Sequence, residues 1–285
     1  MDTSRISPTA HYTGTVWHAN SLSHDTLVTT YGQRLYRLLL PFNAFYTWFT
    51  GGPNLNEMLM QRHLILDHLL TQAIASGQVS QVIEIAAGLS PRGLRFKRRF
   101  RSRLRYIEGD LPEMAQFKRN TLEQAGLLRE GHHVVALNAL VDEGPQSLAS
   151  IARELLDPAE GTAVVTEGLL NYFPQRDVDG IWRRIADLLR STEPGGLYLS
   201  DLSLNRDVHR SVTAQAFRAA LTVFSRGAVH TPLQTPEEAR QALLSAGFTD
   251  ARLFTPPQMA HTVPIPAPMG AIRVRILHAQ AHRPH

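Results

Sequence analysis

VSQVIEIAAGLSPRGLRF, residues 79–96, and LRYIEGD, residues 104–110, are the two stretches that decide the fold. The first opens with a short β-branched run and then turns to small residues, which predicts a buried parallel strand ending in a tight loop. Pro91 suits the first position of a following helix. The second stretch predicts another strand, over residues 104–108, that closes on Asp110. A strand, a small-residue loop, a helix and a strand with a terminal carboxylate form the layout of a nucleoside-binding βαβ unit.

The loop between the first strand and its helix indicates which kind of nucleoside fits. Gly88 is its only glycine, and Ala86 and Ala87 precede it. A dinucleotide pyrophosphate needs a loop richer in glycine and a helix N-terminus that receives anionic charge. S-adenosylmethionine carries no phosphate, so this loop favours it, and Asp110 can accept hydrogen bonds from two ribose hydroxyls. An NAD(P)-linked oxidoreductase and an α/β protein with an empty first turn are the alternatives.

Strands continue to alternate with amphipathic helices along the chain. This alternation predicts an α/β fold, a doubly wound, mostly parallel sheet of seven strands with helices on both faces. Further strands are predicted at residues 133–137, 163–166, 197–202, 248–254 and 271–278, the last as an antiparallel edge strand. Such sheets bind ligands at the carboxyl ends of their strands. Small, amide or acidic residues close the first four strands there, namely Ala86–Gly88, Asp110, Asn138 and Glu167.

Residues 1–78 precede the sheet, and we expect them to form a helical cap or lid over one compact ligand-binding domain, residues 79–285. Residues 1–24 show no clean periodicity. Helices are predicted over 25–49 and 56–75, the first with Asp25 as its cap and with Pro41 ending or kinking it. Residues 206–226 predict a further helix, a second candidate lid.

The composition excludes several classes of site. The 285 residues contain no cysteine, which excludes disulfides and thiolate metal sites, and no other metal-ligand cluster stands out, so no metal is expected. No run of about 18 apolar residues exists, so no membrane span is expected. The first residues lack the apolar core of a signal peptide. We therefore expect a cytoplasmic protein.

Basic residues are concentrated in one place. Eight arginine and lysine residues fall within residues 92–105, although the formal net charge of the chain is only +4. A non-enzymatic nucleic-acid-binding protein would use such a cluster. Aromatic residues are sparse there, however, and Phe96 and Phe100 suit the buried stripe of a helix. We therefore favour a solvated outer face over a nucleic-acid site, and we also expect His132 and His133 to form a surface pair.

Three motifs resemble those of the leucine carboxyl methyltransferase family of class I S-adenosylmethionine-dependent methyltransferases. They read AAGLSPR at 86–92, EGD at 108–110 and EGLLNY at 167–172, and the resemblance runs from about residue 55 to about residue 205. It implies a Rossmann-like fold, S-adenosyl-L-methionine as the cofactor and methyl transfer as the reaction. Members of the family act on protein C-termini and on polyketide carboxyl groups. Two positions depart from the family pattern, since Ala86 replaces a glycine and Ser90 replaces an aspartate.

The resemblance also implies roles for individual residues. Arg62, on the helix before the first strand, would pair with the methionine carboxylate of the cofactor. Glu167 would lie under the sulfonium end, Asp110 would hold the ribose, and Asn138 would bond the edge of the adenine. The complete cofactor-binding set implied in this way is Arg62, Ala86, Gly88, Asp110, Asn138, Ala139 and Glu167.

Aromatic residues near the N-terminus indicate where a methyl acceptor would bind. Residues 1–50 hold nine of the 21 aromatic residues of the chain. Tyr12, Trp17 and Tyr36 are the predicted substrate contacts, with His11 beside them, and Tyr12 and Tyr172 are the candidates for a catalytic group. The expected function is transfer of a methyl group to an oxygen of a small-molecule acceptor. That acceptor could be a carboxylate, which is already ionised, whereas a neutral hydroxyl needs a general base.

Overall fold

A seven-stranded sheet organises the computed structural model, which describes residues 8–50, 53–208, 230, 233–267, 272 and 274–283. The strands are β1 (Gln81–Ile85), β2 (Arg105–Asp110), β3 (His132–Ala136), β4 (Thr162–Thr166), β5 (Gly196–Leu202), β6 (Asp250–Phe254) and β7 (Arg275–Ala281). The helices are α1 (Pro8–Ala19), α2 (Thr30–Thr50), α3 (Leu55–Ala75), α4 (Arg92–Phe100), α5 (Pro112–Gln124), α6 (Leu148–Leu155), α7 (Gln175–Ser191), α8 (Asn205–Val208), α9 (Pro236–Ser245) and α10 (Pro256–Met259). The predicted α/β fold is confirmed.

The strand order is β3-β2-β1-β4-β5-β7-β6. Strands β1 to β5 run parallel to their neighbours, whereas β7 runs antiparallel to both β5 and β6. The predicted antiparallel direction of the last strand is therefore confirmed, but its placement at the edge is wrong. β7 lies between β5 and β6, and β6 forms the edge. All seven residues of β7 pair with β5, so this strand completes the interior of the sheet.

The order of the first four strands positions the candidate site. From β1 the chain continues to β2 and β3 on one side, and it then returns to β4 on the other side of β1. Neighbouring connections thus leave the sheet in opposite directions between β1 and β4. A crevice opens at the carboxyl ends of the strands at such a switch point, and ligands of doubly wound sheets bind there.

Each face of the sheet carries its own apolar core. On one face, Trp182 and Ile185 of α7 and Leu243 of α9 pack against the strands. On the other face, Leu66 and Leu70 belong to α3 and pack with apolar residues of β1, β4 and β5. All residues of β1, β4 and β5 are buried, as a parallel sheet covered on both sides requires. Because α3 shares this core, it packs directly on the sheet.

The N-terminal segment differs most from the sequence-based expectation. Residues 8–19 form α1, a helix that the sequence did not predict. The periodic signal is missing because the buried residues of α1 lie on several sides of the helix and not in one stripe. Helix α2 begins at Thr30, while Asp25 starts a separate 3₁₀ turn capped by the ring of His24. The helix also continues through Pro41. The division into a cap over residues 1–78 and a domain over 79–285 stays a prediction.

Two further expectations concern parts of the chain outside the sheet. Most of the candidate lid over residues 206–226 lies outside the described residues, which include only its start within α8. Among the described residues, no helix is long and apolar enough to cross a membrane.

Candidate active site

The loop after β1 turns sharply at the carboxyl edge of the sheet. Ala86 and Gly88 both adopt positive φ angles, of 55° and 47°. The loop is fastened to β2, because the Gly88 N–H donates to Asp110 Oδ2 over 2.7 Å and the Ala87 N–H donates to the carbonyl of Gly109 over 3.1 Å. The predicted cofactor loop and the predicted ribose carboxylate are therefore in direct contact.

Asp110 and Asn138 lie side by side at the ends of β2 and β3. The N–H of Leu137 donates to the Asp110 carbonyl over 2.7 Å, and Asn138 follows directly. Its Oδ1 accepts from the N–H of Leu140, which fixes the turn that contains Ala139. Burial raises the pKa of Asp110, although the N–H groups of Gly88 and Leu111 oppose this. Two backbone N–H donors therefore fix the orientation of the Asp110 carboxylate, which lies at a partly desolvated position.

Arg62, on α3, contacts two carboxylates near the carboxyl ends of β4 and β5. Its Nε donates to Glu167 Oε1 over 3.0 Å, and its Nη1 donates to Asp201 Oδ2 over 3.1 Å. Burial by itself lowers the pKa of Arg62, but Asp201 and Glu167 outweigh it and hold the pKa above its usual value. Within the described part of the chain, the third nitrogen, Nη2, makes no hydrogen bond to the protein.

Glu167 joins Arg62 to a larger group of charges. His63 Nδ1 lies 2.9 Å from Glu167 Oε2, and Arg92 donates to the same oxygen. Burial alone would raise the pKa of Glu167, yet His63, Arg92 and Arg62 hold it well below its usual value. We call the whole set the buried ion-pair cluster. It consists of Arg62, His63, Asp67, Glu84, Arg92, Arg95, Glu167 and Asp201.

A model of the leucine carboxyl methyltransferase family matches residues 43–186. The chain belongs to this family. A relative from Frankia alni is 32% identical over 138 residues, which are 48% of this chain and 46% of that protein. A relative from Mycolicibacterium gilvum is 32% identical over 141 residues, 50% of this chain and 44% of that protein. Both are named as candidate S-adenosyl-L-methionine-dependent methyltransferases. The chain spans about half the length of the curated relatives it matches.

Solved structures share the fold. A candidate methyltransferase from Thermobifida fusca aligns with a TM-score of 0.64 at 11% identity, over 97% of this chain and 96% of that one. The S-adenosylmethionine-dependent methyltransferase SibL, in its apo form, aligns with a TM-score of 0.53 at 18% identity, over 90% of this chain and 60% of that one. These neighbours confirm the Rossmann-like methyltransferase fold.

The basic stretch at residues 92–105 is only partly the solvated face that the sequence predicts. Arg98, Arg99 and the basic residues at 101, 103 and 105 are exposed, as a solvated face predicts. Arg92 is fully buried instead, where it pairs with Asp67, Glu84 and Glu167. Lys97 is also buried, and its Nζ donates to the carbonyls of residues 101 and 104. The sequence shows the spacing of basic residues but not which of them turn inward.

A second buried group of charges contacts the predicted cofactor loop through Lys118. Glu108 is fully buried on β2 and pairs with Lys118 of α5 and His132 of β3. The expected surface position of His132 is therefore wrong. Lys118 Nζ also donates to the carbonyl of Ser90 over 2.8 Å. Ser90 replaces the aspartate of the family pattern, and its backbone carbonyl accepts a hydrogen bond from the buried Lys118.

Helix α1 covers the cofactor loop. A Cβ atom placed on Gly88 would lie 3.3 Å from Ala10 Cβ, and one placed on Gly14 would lie 3.1 Å from Leu89 Cβ. The side of α1 that meets the loop is therefore formed by small residues. Trp17, one turn further, stacks on the ring of His63 with a centroid distance of 4.2 Å. Helix α1 and the buried ion-pair cluster are in contact through this pair.

The other acceptor-side candidates are spread over two places. The Tyr12 hydroxyl is buried between Asn43, which donates to it, and Asn56, which accepts from it. Burial raises the pKa of Tyr12 to about 12. Tyr36 packs beside Tyr12 at 6.1 Å between ring centroids. Tyr172 instead follows β4, is partly exposed, and interacts electrostatically with Arg62.

Sequence reasoning assigned no site role to six members of the buried ion-pair cluster. Three of them, His63, Arg92 and Asp201, contact Arg62 or Glu167 directly, and the others are Asp67, Glu84 and Arg95. A signal for Asp201 was present, because small, amide or acidic residues mark the carboxyl ends of strands β1 to β4 and Asp201 lies at that of β5. Glu84 also had a signal, because a carboxylate within a strand predicted to be buried needs a buried partner. For Arg92 no comparable local signal exists, since charged residues are usually solvated.

Proposed function

We propose that this chain is an S-adenosyl-L-methionine-dependent methyltransferase that acts on an oxygen of a small molecule. The observation that carries the proposal is the state of Arg62. Two carboxylates hold Nε and Nη1, and none of the described residues accepts a hydrogen bond from Nη2, at the edge where the family binds its cofactor. A guanidinium in this state fits the carboxylate of an amino acid. The bound cofactor would supply a methyl group activated on a positively charged sulfur.

The remaining contacts fit the other parts of the same cofactor. Asp110, at the end of β2, would accept hydrogen bonds from the ribose, and the turn with Asn138 and Ala139 would meet the adenine. The backbone at Ala86 and Gly88 would line the amino-acid end, where small side chains allow close approach. Glu167 contributes negative charge beside Arg62, which favours the ammonium or sulfonium of the ligand.

The state of the titratable groups supports a carboxylate acceptor. Glu167 and His63 are engaged in ion pairs, and Asp201 accepts from both Arg62 and the N–H of Gly168. Tyr12 has a pKa of about 12, so its phenolate form is scarce and it is a poor general base at neutral pH. A carboxylic acid has a pKa of about 4, so it is already ionised at neutral pH and needs no base to act as a nucleophile.

Under this proposal the chain itself contributes binding, orientation and exclusion of water. Methyl transfer needs an in-line approach in a dry site more than it needs proton transfer. Helix α1 would provide part of that enclosure, because it lies on the cofactor loop and places Trp17 against His63. Tyr12, Trp17 and Tyr36 stay proposed acceptor-side residues, and Tyr172 stays a proposed group beside Arg62.

Binding and turnover can be measured separately. Isothermal titration should detect S-adenosylmethionine and S-adenosylhomocysteine, but not NADH or an RNA oligomer. Arg62→Ala should weaken both cofactor forms, whereas Arg252→Ala, which removes an exposed arginine of β6, should weaken neither. A panel of carboxylic acids and matched phenols, assayed with methyl-labelled cofactor, should give product with carboxylic acids only. Tight NADH binding without S-adenosylmethionine binding would contradict the proposal, and phenol methylation alone would contradict its carboxylate part.

A further inference from the structure

Asp201 closes β5 beside the loop that contains Glu167. It is 4% exposed. Its Oδ2 accepts from Arg62 Nη1 over 3.1 Å, and its Oδ1 accepts from the N–H of Gly168 over 2.6 Å. One carboxylate thus joins the helix before β1 to the loop after β4. We propose that Asp201 is a positioning residue of the cofactor site, which orients the Arg62 guanidinium toward the carboxylate of S-adenosylmethionine; this inference rests on the proposed function.

Because the guanidinium of Arg62 is planar, a second contact is what fixes its orientation. Glu167 engages Nε and Asp201 engages Nη1, two nitrogens at different edges of one rigid plane. A single contact would let the plane swing about the bond, but two contacts fix its orientation. Nη2 is then the nitrogen whose direction is set for a third carboxylate.

Glu167 alone cannot give Arg62 this orientation. Its Oε2 is shared by Arg92 and His63, so only Oε1 serves Arg62. Asp201 has no other cation within ion-pair distance among the described residues. It is therefore the carboxylate devoted to Arg62 in this part of the site.

Gly168 provides the space for this arrangement. It adopts a positive φ of 67°, and a Cβ placed on it would lie 2.8 Å from Arg62 Nη2. The same residue donates its N–H to Asp201. The glycine thus allows Nη2 to lie against the loop while Asp201 holds both the loop and the guanidinium.

Three ligands distinguish positioning from other roles of a buried carboxylate. S-adenosylmethionine has a carboxylate and a charged sulfonium, S-adenosylhomocysteine has the carboxylate but no charge on sulfur, and decarboxylated S-adenosylmethionine has only the sulfonium. We expect Asp201→Asn to weaken binding of the first two by about tenfold or more, the effect of losing one charge-assisted contact. Binding of the decarboxylated ligand should change little. In an Arg62→Ala background, Asp201→Asn should have no further effect on any of the three.

Other outcomes would overturn the proposal. Loss of affinity for the two sulfonium ligands but not for S-adenosylhomocysteine would make Asp201 a direct attractor of the sulfonium. Equal loss for all three ligands would make its role purely structural. Unchanged binding of all three would exclude a role in the site. Wild-type protein that binds none of the three would instead contradict the proposed function, so the two failures are distinguishable.

Two further variants control for a general effect of removing an ion pair and for a failure of Asp201→Asn to fold. Asp250→Asn is the control, because it removes another aspartate–arginine pair, with Arg252 at 3.1 Å on the edge strand β6, that does not touch Arg62. It should leave all three affinities unchanged. Should Asp201→Asn fail to fold, Asp201→Glu keeps the charge but displaces the carboxylate, and it should give the same pattern over the three ligands.

Discussion

Replacing Gly93 by alanine should destabilise the protein, although alanine is the better helix former. Gly93 is the second residue of α4 and lies directly over the buried Glu108. A Cβ at this position would lie 1.9 Å from Glu108 Oε1 and 2.7 Å from His132 Nε2. Because Glu108 is fully buried and paired with Lys118 and His132, moving its carboxylate away from the new methyl group would disturb both pairs.

The magnitude follows from two opposing effects. Disrupting a buried ion pair costs about 3–5 kcal/mol. Alanine in place of glycine within a helix contributes at most about 1 kcal/mol in the other direction. The net loss in the free energy of unfolding should therefore be about 2–4 kcal/mol, or about 4–8 °C in the melting temperature of a chain of this size. Lys118 also holds the Ser90 carbonyl, so affinity for S-adenosylmethionine should fall as well.

Urea unfolding followed by circular dichroism measures the effect. Gly180→Ala, in α7, is the matched control, since its nearest neighbour is the flexible end of Arg184 at 3.0 Å. This variant should be as stable as the wild type or up to about 1 kcal/mol more stable. Adding Glu108→Asp to Gly93→Ala should restore part of the loss, because the shorter side chain withdraws from the new methyl group. A Gly93→Ala protein as stable as the wild type would refute the reasoning.

Three further predictions concern the cap, the ribose carboxylate and the charged cluster. Gly32→Ala should cost about 1–3 kcal/mol, because its Cβ would lie 2.3 Å from the His11 carbonyl oxygen, and faster hydrogen exchange in α1 would report the separation of the two helices. Asp110→Ala should weaken S-adenosylmethionine binding by about 1.5–3 kcal/mol in a titration, and an unchanged affinity would exclude the ribose assignment. Glu167 has a pKa below its unfolded value of about 4.3, so its stabilisation is complete above that pH and is lost as the pH falls through the folded pKa. The stability difference between wild type and Glu167→Gln should therefore narrow between pH 7 and pH 3, and a constant difference would contradict this.

The strands were predictable because local patterns specify them. Apolar β-branched runs identify β1 and β4, whereas the binding role of the residues that close the first four strands stays a prediction. The place of β7 was not predictable in this way. Whether it pairs outside β6 or between β5 and β6 depends on contacts between segments far apart in sequence, and its own residues are compatible with either arrangement.

The buried charges were harder to predict for a different reason. Arg92 lies in a run of exposed basic residues, and only the carboxylates of three other elements make its burial favourable. His63 lies at helical spacing with Leu59 and Leu66 on α3, so the sequence predicts packing and does not show its contact with Glu167. For α1, small and polar residues are buried on several sides by the close approach of α2 and the cofactor loop, so no periodic signal arises.

The position of β7 has a consequence for how the protein is made. The ribosome synthesises β6 before β7, yet in the part of the sheet that the structure describes β6 is hydrogen-bonded to β7 alone. Until β7 emerges, β5 presents an open strand edge and β6 has no partner. The intervening 72 residues, 203–274, take roughly 4–14 s to synthesise at typical rates. The speed of translation over this stretch therefore sets how long the unfinished sheet can capture a strand from a neighbouring nascent chain.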